Sequence, residues 1–319
     1  MSPRRPTLRD VSQHTGLSVT QVSRALNGHD DVAESTRRAV EAAAQAIGYV
    51  PNMQARQLRM PGLRANAVGI VLPATTLSFS YPFLGSLMAG VIQVASEQRV
   101  EVDISTVSDE SAELLTYKRA IEQRRVDGFV LLRTRRTDER LAFLQEAGVP
   151  WVAFGRADNA PPGLVVDDAD DAMAPVVEHL VGLGHRRIGC IAEPDEFARS
   201  HHRLRSFLDA MADAGHDVDP GLVVHADFAD GSGQTAAERL LDRGEPPTAI
   251  VALNDLLALG ALSAAYDRGL DVPSDLSITG FDDVPLAALA GPPLTTLRVD
   301  AEQMGRELAG RLLDLVDGR

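Results

Sequence analysis

The chain has 319 residues, 45% of them hydrophobic, and a mean hydropathy of -0.06, enough for two or three compact units. No stretch reaches the ~18 apolar residues of a membrane span, and the N-terminal MSPRRPTLRDVSQ has no apolar signal region. A single cysteine, Cys190, excludes an internal disulfide framework, so a reducing cytoplasm is the expected location. Charge is unevenly spread. Residues 1–64 hold nine arginines and five acids, a net of +4, whereas the remainder carries -18. A small basic head on a large acidic body points to a polyanion met by the head alone.

In chain order, the first fifty residues read as helices without a strand. Thr7 caps the first, with Asp10 three residues on and Leu8 and Val11 facing inward. Thr15-Gly16-Leu17 makes a tight turn. Ser18 caps the second helix with Gln21 at the reciprocal position, and Val22, Ala25 and Leu26 turn inward. Thr20, Gln21, Ser23 and Arg24 are left as an outward row, and Asn27-Gly28 stops the helix. The third helix runs from about Glu34 to Ala46 and buries Val40, Ala43 and Ile47. This is the helix-turn-helix plan. On residue chemistry alone the second helix is either a plain amphipathic helix in a small bundle or a reader of base edges. Arg24 is suited to guanine O6 and N7. NMQARQLR, capped by Asn52, has too little apolar surface to be a stable helix by itself; the spacing predicts a hinge.

From Ala67 the pattern alternates. AVGIVLP, VEVDISTV, DGFVLLR, VPWVAFG, RIGCIA, TAIVAL and LSITGF read as short apolar strands, most separated by amphipathic helices near 111–124, 170–183, 202–214, 233–243 and 255–268. Such alternation predicts parallel sheets covered on both faces. A single sheet seldom runs so long, so two α/β lobes with a cleft are expected, with ligand beyond the strands' carboxyl ends. Asn254 and Asp255 follow TAIVAL and Asp282 follows SITGF, placing all three there.

Several stretches look chemical and are read otherwise. VVDDADDAM lacks the glycine and glutamate of an EF-hand loop and reads as a strand end with a helix N-terminus. His201 and His202 diverge on a helix, and Cys190 has no metal partner in the pattern. The glycines of GLGHRRIG precede a strand rather than follow one, the reverse of a dinucleotide fingerprint. With no nucleophile elbow, P-loop or HExxH, neither catalysis nor a cofactor or metal is expected.

The motifs TLRDVSQHTGLSVTQVSRALNG, IGYVPNMQARQLR, GHRRIG, ALNDLLALGAL, SITGFDDVPLA and PPLTTLRVD resemble the LacI/GalR family of bacterial transcription regulators, in order and spacing, from Thr7 onward with short gaps. The resemblance implies a helix-turn-helix head (1–50), a hinge helix and linker (51–62) and a periplasmic-binding-protein-like body of two α/β lobes (63–319). The implied function is that of a homodimeric repressor of a pseudo-palindromic DNA operator, controlled by a small-molecule effector in the cleft. Thr7, Ser18, Val19, Thr20, Gln21, Ser23, Arg24 and Asn27 are then the head's candidate DNA-binding set. Val19 and Thr20 begin the reading helix, and Arg24 corresponds to the base-reading arginine. Leu58 matches the hinge leucine that wedges into the minor groove, beside Ala55, with Asn52 at the hinge's start. Ala33 departs from the usual Ser or Thr cap, at a cost of roughly 1 kcal/mol.

For the cleft, Arg203 corresponds to the arginine that binds effector oxygens in relatives, and Phe228 to an aromatic that stacks on the ligand. Arg156 and Asp282 would add hydrogen bonds, Thr134 or Arg135 would enter after a strand, and Phe83 would approach from SFSYPFL. Carboxylates, guanidiniums and an aromatic suit a sugar, although relatives that answer to purines use the same cleft. Two other classes remain as alternatives. One is a periplasmic sugar receptor, which the basic head disfavours. The other is a sugar- or nucleotide-modifying enzyme, which has no catalytic constellation here.

Overall fold

The computed structural model describes residues 6–26, 29, 31–49, 64–74, 81–109, 111–161, 164–167, 172–227 and 231–319. The expected hinge, with Asn52, Ala55 and Leu58, lies outside the described residues, as do Asn27 and Phe228. The chain divides into two compact units, Met1–Ala65 and Asn66–Arg319.

The first unit contains α1 (Leu8–Thr15), α2 (Val19–Leu26) and α3 (Glu34–Ala46). Asp10 accepts hydrogen bonds from the Thr7 N–H and hydroxyl, at 2.6 and 2.7 Å. Ser18 and Gln21 form the reciprocal box: the Ser18 N–H donates to Gln21 Oε1 at 3.0 Å, and the Gln21 N–H donates to Ser18 Oγ at 3.2 Å. Between these helices the chain must reverse sharply, and Gly16 does so at φ 70°, left-handed backbone that favours glycine. Val11, Val22, Ala25, Val40, Ala43 and Ala44 make the core, backed by Leu8, Leu26, Ile47 and Tyr49. Ala33 gives α3 no side-chain cap.

The second unit has two five-stranded parallel sheets. The first runs in the order β2-β1-β3-β4-β5, from β1 (Ala67–Pro73), β2 (Glu101–Val107), β3 (Gly128–Leu131), β4 (Trp151–Phe154) and β5 (Val165–Val166). Its helices are α4 (Pro82–Glu97), α5 (Ser111–Glu122) and α6 (Glu139–Glu146). The second runs β10-β9-β8-β6-β7, from β6 (Ile188–Ala192), β7 (Val223–His225), β8 (Ala249–Ala252), β9 (Ser277–Asp282) and β10 (Thr295–Arg298). With it go α7 (Ala174–Gly182), α8 (Ala198–Asp213), α9 (Ser232–Leu241) and α10 (Asp255–Asp267). The apolar runs are the central strands: β3, β4, β6 and β8 are buried along their whole length, as sheets covered on both faces require.

The last helix, α11 (Ala301–Asp317), leaves β10 of the second lobe and returns to the first. Its Ala301, Leu308, Ala309, Leu312 and Leu313 join the core built on Val68, Ile70, Leu87 and Val130. At the α4–α11 crossing the backbones touch. A Cβ on Gly90 would overlap the Glu302 carbonyl oxygen, and one on Gly305 would overlap that of Leu87. Two glycines thus permit a contact that alanine would push apart.

Candidate functional site

In the head, α2 buries Val22 and Ala25 and exposes Ser18, Val19, Thr20, Gln21 and Arg24, with Ser23 half-buried. The exposed face is rich in hydrogen-bonding groups and ends in a cation. The Arg24 guanidinium donates to the Asp31 carboxylate, and both side chains are exposed. Such a pair contributes only ~0–1 kcal/mol, so a bidentate base edge can take Asp31's place.

Between the two lobes of the body lies a cavity of about 380 Å³, within the size range of small-molecule sites. The first lobe contributes Tyr81, Phe83, Leu84, Leu132, Arg133, Thr134 and Phe154, and the second contributes Glu193, Phe197, Arg199, Asp227, Ser232 and Asn254. Topology explains the gathering. Leu132 to Thr134 continue from β3, Glu193 from β6 and Asn254 from β8, all at strand carboxyl ends. Asn254 is fixed on both sides. Its Oδ1 caps α10 by accepting the Leu257 N–H at 2.9 Å, which leaves Nδ2 to donate to Glu193 Oε1 at 3.0 Å.

Beneath the cavity, Arg203 donates to the Leu253 carbonyl at 2.7 Å and to Asp282 Oδ1 at 3.0 Å. Its guanidinium lies 3.7 Å from the centre of the Phe281 ring. Tyr81, from the other lobe, donates its hydroxyl to Asp282 Oδ2. Burial, then the adjacent Asp282 charge, hold that phenol well above its ordinary range, so it stays a donor. Arg199, one helical turn before Arg203, has its guanidinium over Phe154 (4.3 Å to the ring centre) and Phe83 (4.8 Å), and 3.8 Å from Asp282. Arg133 lies over Phe197 at 4.9 Å. Burial pushes the Glu193 carboxyl up, against the pull of Arg203 and Arg199. Arg133 (φ 52°) and Asp282 (φ 109°) have left-handed backbones, strain of the kind that gathers at ligand sites.

Of the residues picked out in the sequence, Phe83, Thr134 and Asn254 line the cavity. Thr134 donates its hydroxyl to the Phe154 carbonyl at 2.8 Å and offers the cavity an acceptor. Arg203 and Asp282 meet below its floor rather than in its wall, because each is the other's partner in a side-chain pair 1% exposed at both ends. Asp255 is turned elsewhere: adjacent residues diverge on a helix. Its carboxylate accepts the Val284 N–H at 2.8 Å and the Thr296 hydroxyl at 2.6 Å, and burial raises it to about 6 against those bonds. Arg135 reaches Glu113 at 3.2 Å. Arg156 is exposed, and its carbonyl accepts from His202 Nε2 at 2.9 Å.

Sequence reading missed Tyr81, Arg133, Phe154, Glu193, Phe197, Arg199 and Asp227. Arg199 had a signal, since it is four residues before Arg203 and shares its helix face. So did Tyr81, two residues from Phe83 in the same loop. The others are joined only by the fold. Among the described residues no group of His, Cys, Asp and Glu could hold a metal ion, and no helix is long and apolar enough to cross a membrane.

A helix-turn-helix head followed by a two-lobed parallel body with a ligand-sized cleft is the build of a ligand-responsive transcription regulator. The chain belongs to the LacI family: residues 7–52 match the model of bacterial regulatory proteins, lacI family, and residues 177–319 that of the periplasmic binding protein-like domain. It is 33% identical to the HTH-type transcriptional repressor CytR of Escherichia coli (strain K12), covering 98% of this chain and 90% of that protein. A structure of the transcriptional regulator CelR with cellobiose is similar at TM-score 0.74 and 34% identity, covering 98% of this chain and 94% of that one. The lac repressor dimer bound to operator and the anti-inducer ONPF is similar at TM-score 0.83 and 29% identity, over 99% and 94% of the two chains.

Proposed function

We propose that this protein is a cytoplasmic, homodimeric repressor whose affinity for a pseudo-palindromic operator is set by a neutral polyhydroxylated molecule, a sugar, bound in the interlobe cavity. Thr20, Gln21, Ser23 and Arg24 read base edges in the major groove. Val19 touches a thymine methyl or sugar, and Thr7, Ser18 and Asn27 lie along the backbone. Residues 51–62, with Asn52, Ala55 and Leu58, are the hinge that enters the minor groove. Two solved relatives support the reading by what they hold: CelR with cellobiose, and the lac repressor as a dimer on operator.

The observation that carries the effector class is charge balance. Arg133 and Arg199 face Glu193 and Asp227 around the cavity, and Arg203 is matched by Asp282 below it. A phosphorylated ligand would meet as many carboxylates as guanidiniums. A neutral sugar uses both, since its hydroxyls donate to the acids and accept from the arginines. Its CH faces fit the aromatics. The test is a thermal-shift panel of monosaccharides, disaccharides including cellobiose, purines and sugar phosphates. A neutral sugar at ~100 times its Kd should stabilise the body by about 2.7 kcal/mol. Shifts confined to purines or phosphates would refute the sugar assignment and leave the regulator.

A further inference from the structure

We infer that Arg136, which lies outside the cavity, is a positioning residue that latches its two walls together; the inference rests on the cleft being the effector site. Thr134 to Arg136 belong to the first lobe, in the loop after β3, and Glu196 to Ala198 lead into α8 of the second. The two segments meet as an isolated antiparallel bridge at Arg135 and Phe197. The Arg136 N–H donates to the Glu196 carbonyl at 2.8 Å, and the Ala198 N–H donates to the Thr134 carbonyl at 2.9 Å. Thr134 and Phe197, one from each side of this strap, are both cavity-lining residues. Whatever fixes the strap therefore fixes the width of the binding space.

Two backbone hydrogen bonds are a short seam, and Arg136 reinforces it from the outer side. Its guanidinium reaches across to Asp195 of the second lobe at 3.1 Å and lies 3.7 Å from Asp158 of its own lobe. Its carbonyl accepts the Asp158 N–H at 2.7 Å, so the Arg136 backbone is held on both sides. Asp195 is held in turn by His201 Nδ1, at 2.8 Å, from the first turn of α8. Five residues along from Ala198, the same helix supplies Arg203 beneath the cavity. Effector grip thus depends on an ion pair that no effector touches.

The experiment combines amide hydrogen exchange at Arg136 and Ala198 with calorimetric titration of the full chain with cellobiose. Arg136→Glu should speed exchange at both amides and weaken cellobiose binding on the order of tenfold, with like charges now facing Asp195 and Asp158. Adding Asp195→Arg should restore part of both, since the pair across the lobes is remade while Asp158 still faces the introduced carboxylate. Arg136→Gln, which keeps the reach without the charge, should weaken binding roughly two- to five-fold and leave the melting temperature of the free protein where it was. A merely structural role would move that temperature and not the affinity. Exchange and affinity unchanged in Arg136→Glu, or a reversed pair that restores neither, would overturn the latch. If the native chain gives no heat with cellobiose, the titration is run with whichever neutral sugar the thermal-shift panel returns, and the exchange arm decides the latch by itself.

Discussion

Two buried arginines, one in each lobe, look alike by burial and differ in what surrounds them. Arg140, on α6 of the first lobe, donates to Asp138 Oδ1 at 2.8 Å, to Glu113 Oε1 at 2.8 Å and to the carbonyls of Leu132 and Arg133 at 3.2 Å each. Asp138 also accepts the Arg135 N–H at 3.0 Å. Burial would push that carboxyl up, but Arg140 and these bonds outweigh it and hold it low. Every partner comes from the same lobe. Arg203, in the second lobe, shares Asp282 with a tyrosine from across the cleft, beneath a cavity and beside strained backbone. Burial plus pairing does not mark a site; a partner supplied from across the cleft by the other lobe does. Arg140 sets the shape of a wall, and Arg203 sits where two walls meet.

The largest expected effect comes from breaking the closed network. Arg140→Met should destabilise the body by about 3–5 kcal/mol, because Asp138 loses its buried cation; urea unfolding measures it, and a loss under 1 kcal/mol would show the network to be dispensable. Arg203→Met should cost less stability, since Asp282 keeps Tyr81 and Arg199 nearby. It should instead weaken effector binding on the order of tenfold, by loosening the Asp282–Tyr81 contact that ties the two lobes under the cavity floor. Equal effects on stability and binding in both variants would erase the distinction between the two arginines. The remaining effect is a pH dependence at Asp255. Its carboxyl is raised to about 6 in the fold, so ionising it opposes folding. Its contribution is flat below the unfolded value near 4, falls as pH climbs to about 6, and stays low above. The total is at most about 3 kcal/mol. Asp255→Asn should remove that slope from unfolding curves taken between pH 4 and 7; a mutant and parent with parallel curves would assign the raised value to something else.

Much of this architecture is legible in the amino-acid sequence. The head's caps and inner faces, and the central strands of both sheets, follow from short-range pattern, and each behaves as its pattern says. Two edge strands were not readable: β7 and β10 are short and carry little apolar run to see, whereas the edges β2 and β5 coincide with VEVDISTV and with the strand end read at Val165–Val166. Helix α8 begins at Ala198 rather than near 202, because ARSHH is polar and its inward face shows only once Ser200 and Arg203 are found buried. The cavity was half legible. Residues next to strand ends could be named, but which of two neighbours faces inward is decided by packing. So Asn254 lines the space and Asp255 does not. Glu193, Arg133 and Phe197 become a site only when loops far apart in sequence converge.

The return of α11 to the first lobe has a consequence for synthesis. The core around Val68 and Ile70 lacks Leu308, Leu312 and Leu313 until residues 301–317 have been made. The second lobe, by contrast, holds all its strands by Arg298. The first lobe, though encoded earlier, is therefore the one whose core depends on the later residues. Until α11 is added, that lobe has an open apolar groove of the kind that invites association with other chains.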